Sequence, residues 1–532
     1  MKTIFRKAFL TVGMVSTLAM TSCIDETFPT SGATDEQLSS SAKATEALLW
    51  AMPAYYNTLM WDGDYGYDWG FSSIMHVRDI MTEDVCRVAS GYDWYTRWAV
   101  NQYMSEDYVY NQYLWNFYNK LIQTANNVCG ALNPATASDD QLGFLAAAKA
   151  VRASHYLDMA RMFEFLPNDK ISGINKAGND VTNLTVPIVT EATTEDQARN
   201  NPRAHRDSMY AFILSDLEWA EDHIALNPNK VKTLPSIAAV YGLKARLYMW
   251  VENYDSAQVY ARKAIDLGQY TPTTQGEWLN TATGFNNLST PSWIWGIKAM
   301  KEDDCVKNGI LNWTSWMSNE TTFGYAAAGP FLMIGKSTYD RMDDRDFRKL
   351  SYKAPEGGAL AGKEPVLDAA WAAELPAYSS FKFRPGEGDM EEPTVAAASA
   401  YPLMRIEEMY FIEAEAAAHT DAAAGKALLE SFMQNYRFAE YACYASEQAA
   451  VIDEIVFQKR VELWGEGQTF FDVKRLNLSV DRTYEGSNFQ EESKFKTEGR
   501  PAWMNICIVK SEKNNNKALV GFENPDPSDC YK

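Results

Sequence analysis

Apolar residues recur every three or four positions along most of this chain, the period of an amphipathic helix. Leu114, Phe117, Tyr118, Leu121 and Ile122 line one face of residues 104–132. Ala146, Ala150, Ala153, Leu157 and Ala160 do so in 141–166, and Met209, Phe212, Ile213 and Leu217 in 204–224. The same pattern predicts helices over 402–419, 421–437 and 448–464. Val186–Val189 and Trp293–Ile297 predict short extended segments between them.

One stretch carries more than periodicity. Tyr241, Ala245, Tyr248, Ala257, Ala261 and Ala264 fall at offsets 0, 4, 7, 16, 20 and 23. These are the key positions of a tetratricopeptide repeat, where small residues let two helices approach and large rings fill the gaps. One repeat cannot bury its own face. The helix pairs around 110–165, 205–250 and 402–440 are therefore read as further, degenerate repeats. Two regions break the rhythm: 55–98, with many Trp and Tyr among Gly and Asp, and 271–400, rich in Gly, Pro, Ser, Thr and Trp. Long insertions on a rigid scaffold are where binding residues concentrate.

Composition narrows the function. Apolar residues make up 46% of the 532, and charged residues 22%, which excludes a disordered chain. The formal charge of −21 argues against a partner with a phosphate backbone, so no nucleic acid is expected. Lys2, Arg6 and Lys7 precede an apolar run over Ala8–Met20, which reads as a secretory signal peptide, residues 1–22. Met20-Thr21-Ser22-Cys23 resembles a bacterial lipobox, in which the cysteine is lipidated and becomes the new N-terminus. Cleavage there takes the charge from −21 to −24. Asp25-Glu26 resembles the surface-export signal of Bacteroidota-type lipoproteins, and residues 23–45 read as a flexible tether from that lipid. Several acyl chains make a lasting outer-membrane anchor.

Other signals are weaker. Cys86, Cys129, Cys305, Cys443, Cys507 and Cys530 show no CxxC spacing and read as buried free thiols, with one disulfide left open. The five histidines show no metal spacing, so neither metal nor cofactor is expected. Asp62, Asp64 and Asp68 resemble part of a calcium loop, but Ser73 stands where its bidentate Glu belongs. Gly335-Lys336-Ser337 lacks the preceding glycine of a phosphate loop, since Pro330 occupies that position.

Several segments together resemble the SusD/RagB family of outer-membrane lipoproteins. Residues 114–131 (LWNFYNKLIQTANNVCGA) match its early helix, and 147–165 (AAKAVRASHYLDMARMFEF) its second. The most specific matches are 402–418 (PLMRIEEMYFIEAEAAA) and 460–475 (RVELWGEGQTFFDVKR). In the latter, Phe470 and Phe471 are expected to pack and Asp472 and Arg475 to pair. The resemblance implies a mainly α fold: about four tetratricopeptide repeats in a superhelix, drawn here from 104–165, 204–267 and 402–475. A larger irregular, α-rich half with short strands and loops packs on it, all within one globular domain over 46–532. The resemblance also implies a function: a nutrient-binding lid on a SusC-like TonB-dependent outer-membrane transporter. Such a lid captures oligosaccharide or polysaccharide, or in some members peptide, and is not an enzyme.

Sugar rings have apolar faces, which Trp and Tyr match, and polar rims. In starch-binding relatives an aromatic arc draws on a loop after the first helix and on the irregular half. The corresponding regions here are 61–98 and 278–325. The candidate ligand-binding rings are Trp94 and Trp98 from the first, and Trp313, Trp316 and Tyr325 from the second. Capture of peptides or glycopeptides is the alternative. An extracellular glycoside hydrolase is the alternative of a different class, and its carboxylate pair is defined only by distance in space.

Overall fold

The computed structural model describes residues 42–60 and 66–532. The signal peptide, Cys23, most of the tether, and the residues Trp61, Asp62, Asp64 and Tyr65 lie outside them. In chain order the elements used below begin with α1 (Ala42–Tyr55), α2 (Phe71–Ile80), β1 (Val85–Arg87) and α3 (Thr96–Ala99). Then come α4 (Val109–Ala131), α5 (Asp139–Phe163), α6 (Arg206–His223), α7 (Ile237–Trp250) and α8 (Tyr254–Asp266). The irregular half holds β2 (Trp293–Lys298), α9 (Trp313–Met317), α10 (Gly324–Ala328), β3 (Leu332–Ile334) and β4 (Ala400–Arg405). The chain returns to helix in α11 (Ile406–Thr420), α12 (Ala422–Tyr436), α13 (Gln448–Glu462) and α14 (Thr469–Arg475).

The fold is mainly α with few, short strands. The long helices stack in series: α4 on α5, α5 on α6, α6 on α7, α7 on α8, α8 on α11, and α11 on α12 and α13. Such nearest-neighbour packing is what a repeat array requires. At the best-matched repeat, Ala245, Ala257 and Ala261 are fully buried, and Tyr248 meets Tyr260 at 5.5 Å. Local signals set the ends. Ser138 and Gln141 form a reciprocal capping box that starts α5, with Asp139 and Asp140 in the positive first turn.

One predicted boundary moves. Residues 402–405 were expected to open a helix, but they finish β4, which pairs antiparallel with β2 (Ile297 opposite Tyr401, Trp293 opposite Arg405). Pro402 lacks an N–H and is ill suited to a helix interior, and β4 is buried on both faces apart from half-buried Leu403. Val186–Val189 forms no strand. The six cysteines are free thiols, five of them buried.

The two halves are joined by charge as well as by apolar packing. Arg348 and Lys382 come from the irregular half, Arg405 from β4 and Arg437 from just past α12. They meet Asp346, Glu407, Glu462 and Glu466, and each of these eight side chains is at most 5% exposed. Glu462 is the hub. Its carboxylate lies 2.9 Å from Arg348, 2.7 Å from Arg437 and 3.2 Å from Arg405. Burial alone would raise the pKa of Glu462, but the three guanidiniums, Arg437 first, hold it far below the usual carboxylate range. Asp472 pairs with Arg475 at 2.8 Å, while Phe470 and Phe471 are buried.

Glu462→Gln would strand three buried cations around a neutral group. The expected cost is about 3–5 kcal/mol, read as a lowered urea midpoint with unchanged slope. A midpoint within error of the parent would show that the cluster does not tie the halves together.

Candidate functional site

β1 pairs antiparallel with β3 (Val85 opposite Ile334). That pairing lays the loop after β1 against residues 313–330, so the two irregular stretches meet. At the junction a continuous series of aromatic rings runs through the protein. It passes from Tyr92 to Tyr325 (5.6 Å between centroids), Tyr95 (6.2 Å), Trp98 (6.0 Å) and Tyr110 (5.0 Å). It continues to Tyr103 (6.5 Å, stacked) and Tyr108 (4.8 Å), and Trp316 joins at Tyr95 (5.7 Å).

The middle of the series is buried, apart from half-buried Tyr110, and its ends are open. Tyr92, Trp94, Tyr103 and Tyr108 are each 36–41% exposed. They make up half of the exposed large aromatics among the described residues. Trp94 lies on Gly66, where an added Cβ would sit 2.5 Å from the indole, so only glycine admits this contact. Its backbone N–H donates to the Tyr325 hydroxyl (3.4 Å). Asp93 shapes the turn by accepting from Tyr95 N–H and from the Thr96 hydroxyl, both at 3.0 Å. Tyr103 projects from a backbone with φ 57°, two residues after Asn101 with φ 54°. Asn101 is buried, and neither polar atom of its amide has a partner among the described residues. Strain and unmet polar groups of this kind gather at functional sites.

Beneath the rings lies Arg87. Its guanidinium sits 4.9 Å from the Tyr325 centroid and donates to Pro330 O (2.7 Å), Trp316 O (2.5 Å) and His76 Nε2 (2.9 Å). Since Arg only donates, His76 Nε2 must accept, which assigns the neutral ring with its proton on Nδ1. Burial first, and Arg87 second, hold the pKa of His76 well below the ordinary 6.5.

Four of the five ring candidates converge here: Trp94, Trp98, Trp316 and Tyr325. Trp313 does not, and packs instead against Phe383 (5.1 Å) and Tyr401 (5.2 Å). Only Trp94 is open. Trp98, Trp316 and Tyr325 are 1% exposed and Trp313 5%, because neighbouring rings already cover their faces. The expectation that these four display a face is corrected accordingly. Tyr92, Tyr103 and Tyr108 were missed; their signal was tyrosine among Gly, Asp, Asn and Ser rather than tryptophan. Of the acidic trio, Asp68 is fully buried and accepts from Met60 N–H (3.0 Å).

A second feature continues along the same helix. Asn116, Asn119, Gln123 and Asn127 repeat every three or four residues on α4, with Asn126 beside the last. They line an open groove of about 1130 Å³ whose walls include Leu48, Met60, Trp115 and Thr190. Each amide both donates and accepts, as hydroxyl groups do. Gln197, Asn200 and Asn201 line an adjoining hollow that shares Thr190.

Two family models match the chain. One, described as starch-binding and associating with the outer membrane, matches residues 71–249; the other, the SusD family, matches 335–524. The chain belongs to the SusD/RagB family. Solved SusD-like structures share its fold. A SusD-like carbohydrate-binding protein from Bacteroides vulgatus is 21% identical with a TM-score of 0.69, covering 90% of this chain and 98% of its own. A SusD-superfamily protein from Bacteroides thetaiotaomicron is 18% identical at 0.65, covering 90% and 98%. A SusD-like carbohydrate-binding protein from Bacteroides fragilis is 14% identical at 0.62, covering 91% and 99%. No curated protein matches the chain in sequence.

The neutral His76 generates a pH prediction for this SusD-family fold. Its native pKa lies below the unfolded 6.5, so its share of stability is full above that value and falls as pH drops through it. His155, lowered to about 4 chiefly by burial, acts in the same direction over the same range. His76→Gln keeps an acceptor for Arg87 and does not titrate. The fall in unfolding free energy between pH 7 and pH 5 should therefore be smaller in H76Q than in the parent. Equal falls would contradict the assignment.

Proposed function

We propose that this chain is a cell-surface lipoprotein that captures oligosaccharide or polysaccharide. In this reading it hands the glycan to a partner SusC-like TonB-dependent outer-membrane transporter. The observation that carries it is the set of open rings, Tyr92, Trp94, Tyr103 and Tyr108, backed by a buried aromatic series. Open rings match the C–H faces of pyranoses, and rigid backing keeps the entropy cost of binding low. Trp98, Trp316 and Tyr325 act as the foundation, and the amide groove on α4 extends the track for hydroxyl-rich chain. Family membership supports the same reading, as do the carbohydrate-binding descriptions of its structural relatives. Cys23 carries the acyl anchor, and the protein binds glycan without cleaving it.

The test is native electrophoresis of the chain from Ile24 onward through gels cast with a panel of polysaccharides. Retardation by at least one is expected, with the polysaccharide recovered intact. Trp94→Ala should weaken it about tenfold, or about 1.4 kcal/mol, while Trp313→Phe should leave it unchanged. Binding of peptides with no retardation in any gel would overturn the glycan reading.

A further inference from the structure

A hollow of about 130 Å³ opens where the C-terminal end of α5, the end of α7, α14 and the segment around Arg500 come together. It shares no residue with the ring series or the amide groove. Five cations line it: Arg161, Arg206, Lys474, Arg475 and Arg500. Only Glu164 and Glu252 oppose them on the wall, leaving a formal +3 in a chain of −21. Trp250 and Phe471 supply apolar sides.

Internal pairing does not use up these charges. Arg500 donates through Nε to Asn477 Oδ1 (3.0 Å), and its two terminal nitrogens have no acceptor among the described residues. Lys474 is buried, and two of its three N–H groups go to backbone carbonyls, Met162 O (2.9 Å) and Glu164 O (2.7 Å), with no carboxylate partner among the described residues. Arg475 binds Glu415 and Asp472 through other nitrogens, but its Nη1 is buried with no hydrogen bond among the described residues. Arg206 donates through Nη2 to Trp250 O, and its Nη1 reaches Glu164 only at 3.6 Å. Arg161 is fixed in place, 3.6 Å over the Phe471 ring and 2.6 Å from Asp158.

The cations also press on one another. Burial first, then Arg500, Arg203 and Arg206, push the Lys474 ammonium well below its ordinary value, against the pull of Glu164. Burial and Arg206 lower Arg500 in the same way. A bound anion would relieve both costs.

We propose that this pocket binds a small oxyanion of the sulfate or phosphate type, held by Arg500, Arg206 and Lys474 with Arg475 behind them. Guanidinium forks match the oxygen spacing of such groups. The volume equals roughly four water molecules at about 30 Å³ each. That admits one tetrahedral anion and little more. The group arrives either as the free ion or as an ester on a sugar, and the two are distinguished by experiment.

The test is titration calorimetry of the full chain in detergent with inorganic sulfate and, separately, with galactose 6-sulfate, each against chloride at equal ionic strength. Saturable binding of at least one probe, with one site, is expected; the tighter probe identifies the source. Arg500→Gln should weaken it about fivefold and Glu252→Gln should tighten it about threefold, the range of single partly exposed charge pairs. Misfolding cannot produce shifts of opposite sign. No saturable binding of either probe, or equal affinity in all three proteins, would overturn the proposal.

Discussion

The structure depends on a balanced set of buried charges. Four cations and four carboxylates meet around Glu462 where the helical array joins the irregular half. Each would be costly alone, and together they are tolerable only in one geometry. That requirement makes the cluster a registration device: Arg348 and Lys382 reach Glu462 and Glu466 only if the irregular half sits at one place on the helices. Similar logic recurs nearby. Arg246 pairs with Glu408 (2.6 Å), Arg475 with Glu415 (2.6 Å) and Arg78 with Asp158 (2.7 Å), stitching helix to helix through the array.

Fixed registration has a consequence at the surface. The loop after β1 and residues 313–330 belong to distant parts of the chain, yet Arg87 bonds to His76, Trp316 and Pro330 at once. The rings above Arg87 therefore form a preformed stack whose ends reach solvent. Preformed apolar faces bind with little loss of side-chain freedom. The amide-lined groove lies along α4, the helix that begins at Val109 directly after Tyr108.

Much of this fold was legible in the sequence. The 3.6-residue pattern located the long helices, and the spacing from Tyr241 to Ala264 marked a helix pair that packs through alanines. Arg405, Glu407 and Glu462 stood in the two most specific family segments, and their role proved to be the buried cluster. The site was legible by region and less so by residue. Trp98, Trp316 and Tyr325 do gather with Trp94, but composition cannot tell a ring that offers its face from one that supports another ring. That difference lies in which neighbours pack on the ring: Tyr95 meets Trp98, Trp316 and Tyr325, and Arg87 lies over Tyr325. Residues 402–405 misled for a related reason: their helical pattern is local, whereas β2, their partner, lies more than a hundred residues earlier.

The most direct measurement is a crystal structure of the protein with an oligosaccharide from a polysaccharide that retards it. The account predicts pyranose rings over Trp94 and over Tyr103 or Tyr108, with hydroxyls reaching the amides of α4 and the buried rings unmoved. Sugar bound elsewhere on the protein, with Tyr92, Trp94, Tyr103 and Tyr108 untouched, would contradict it.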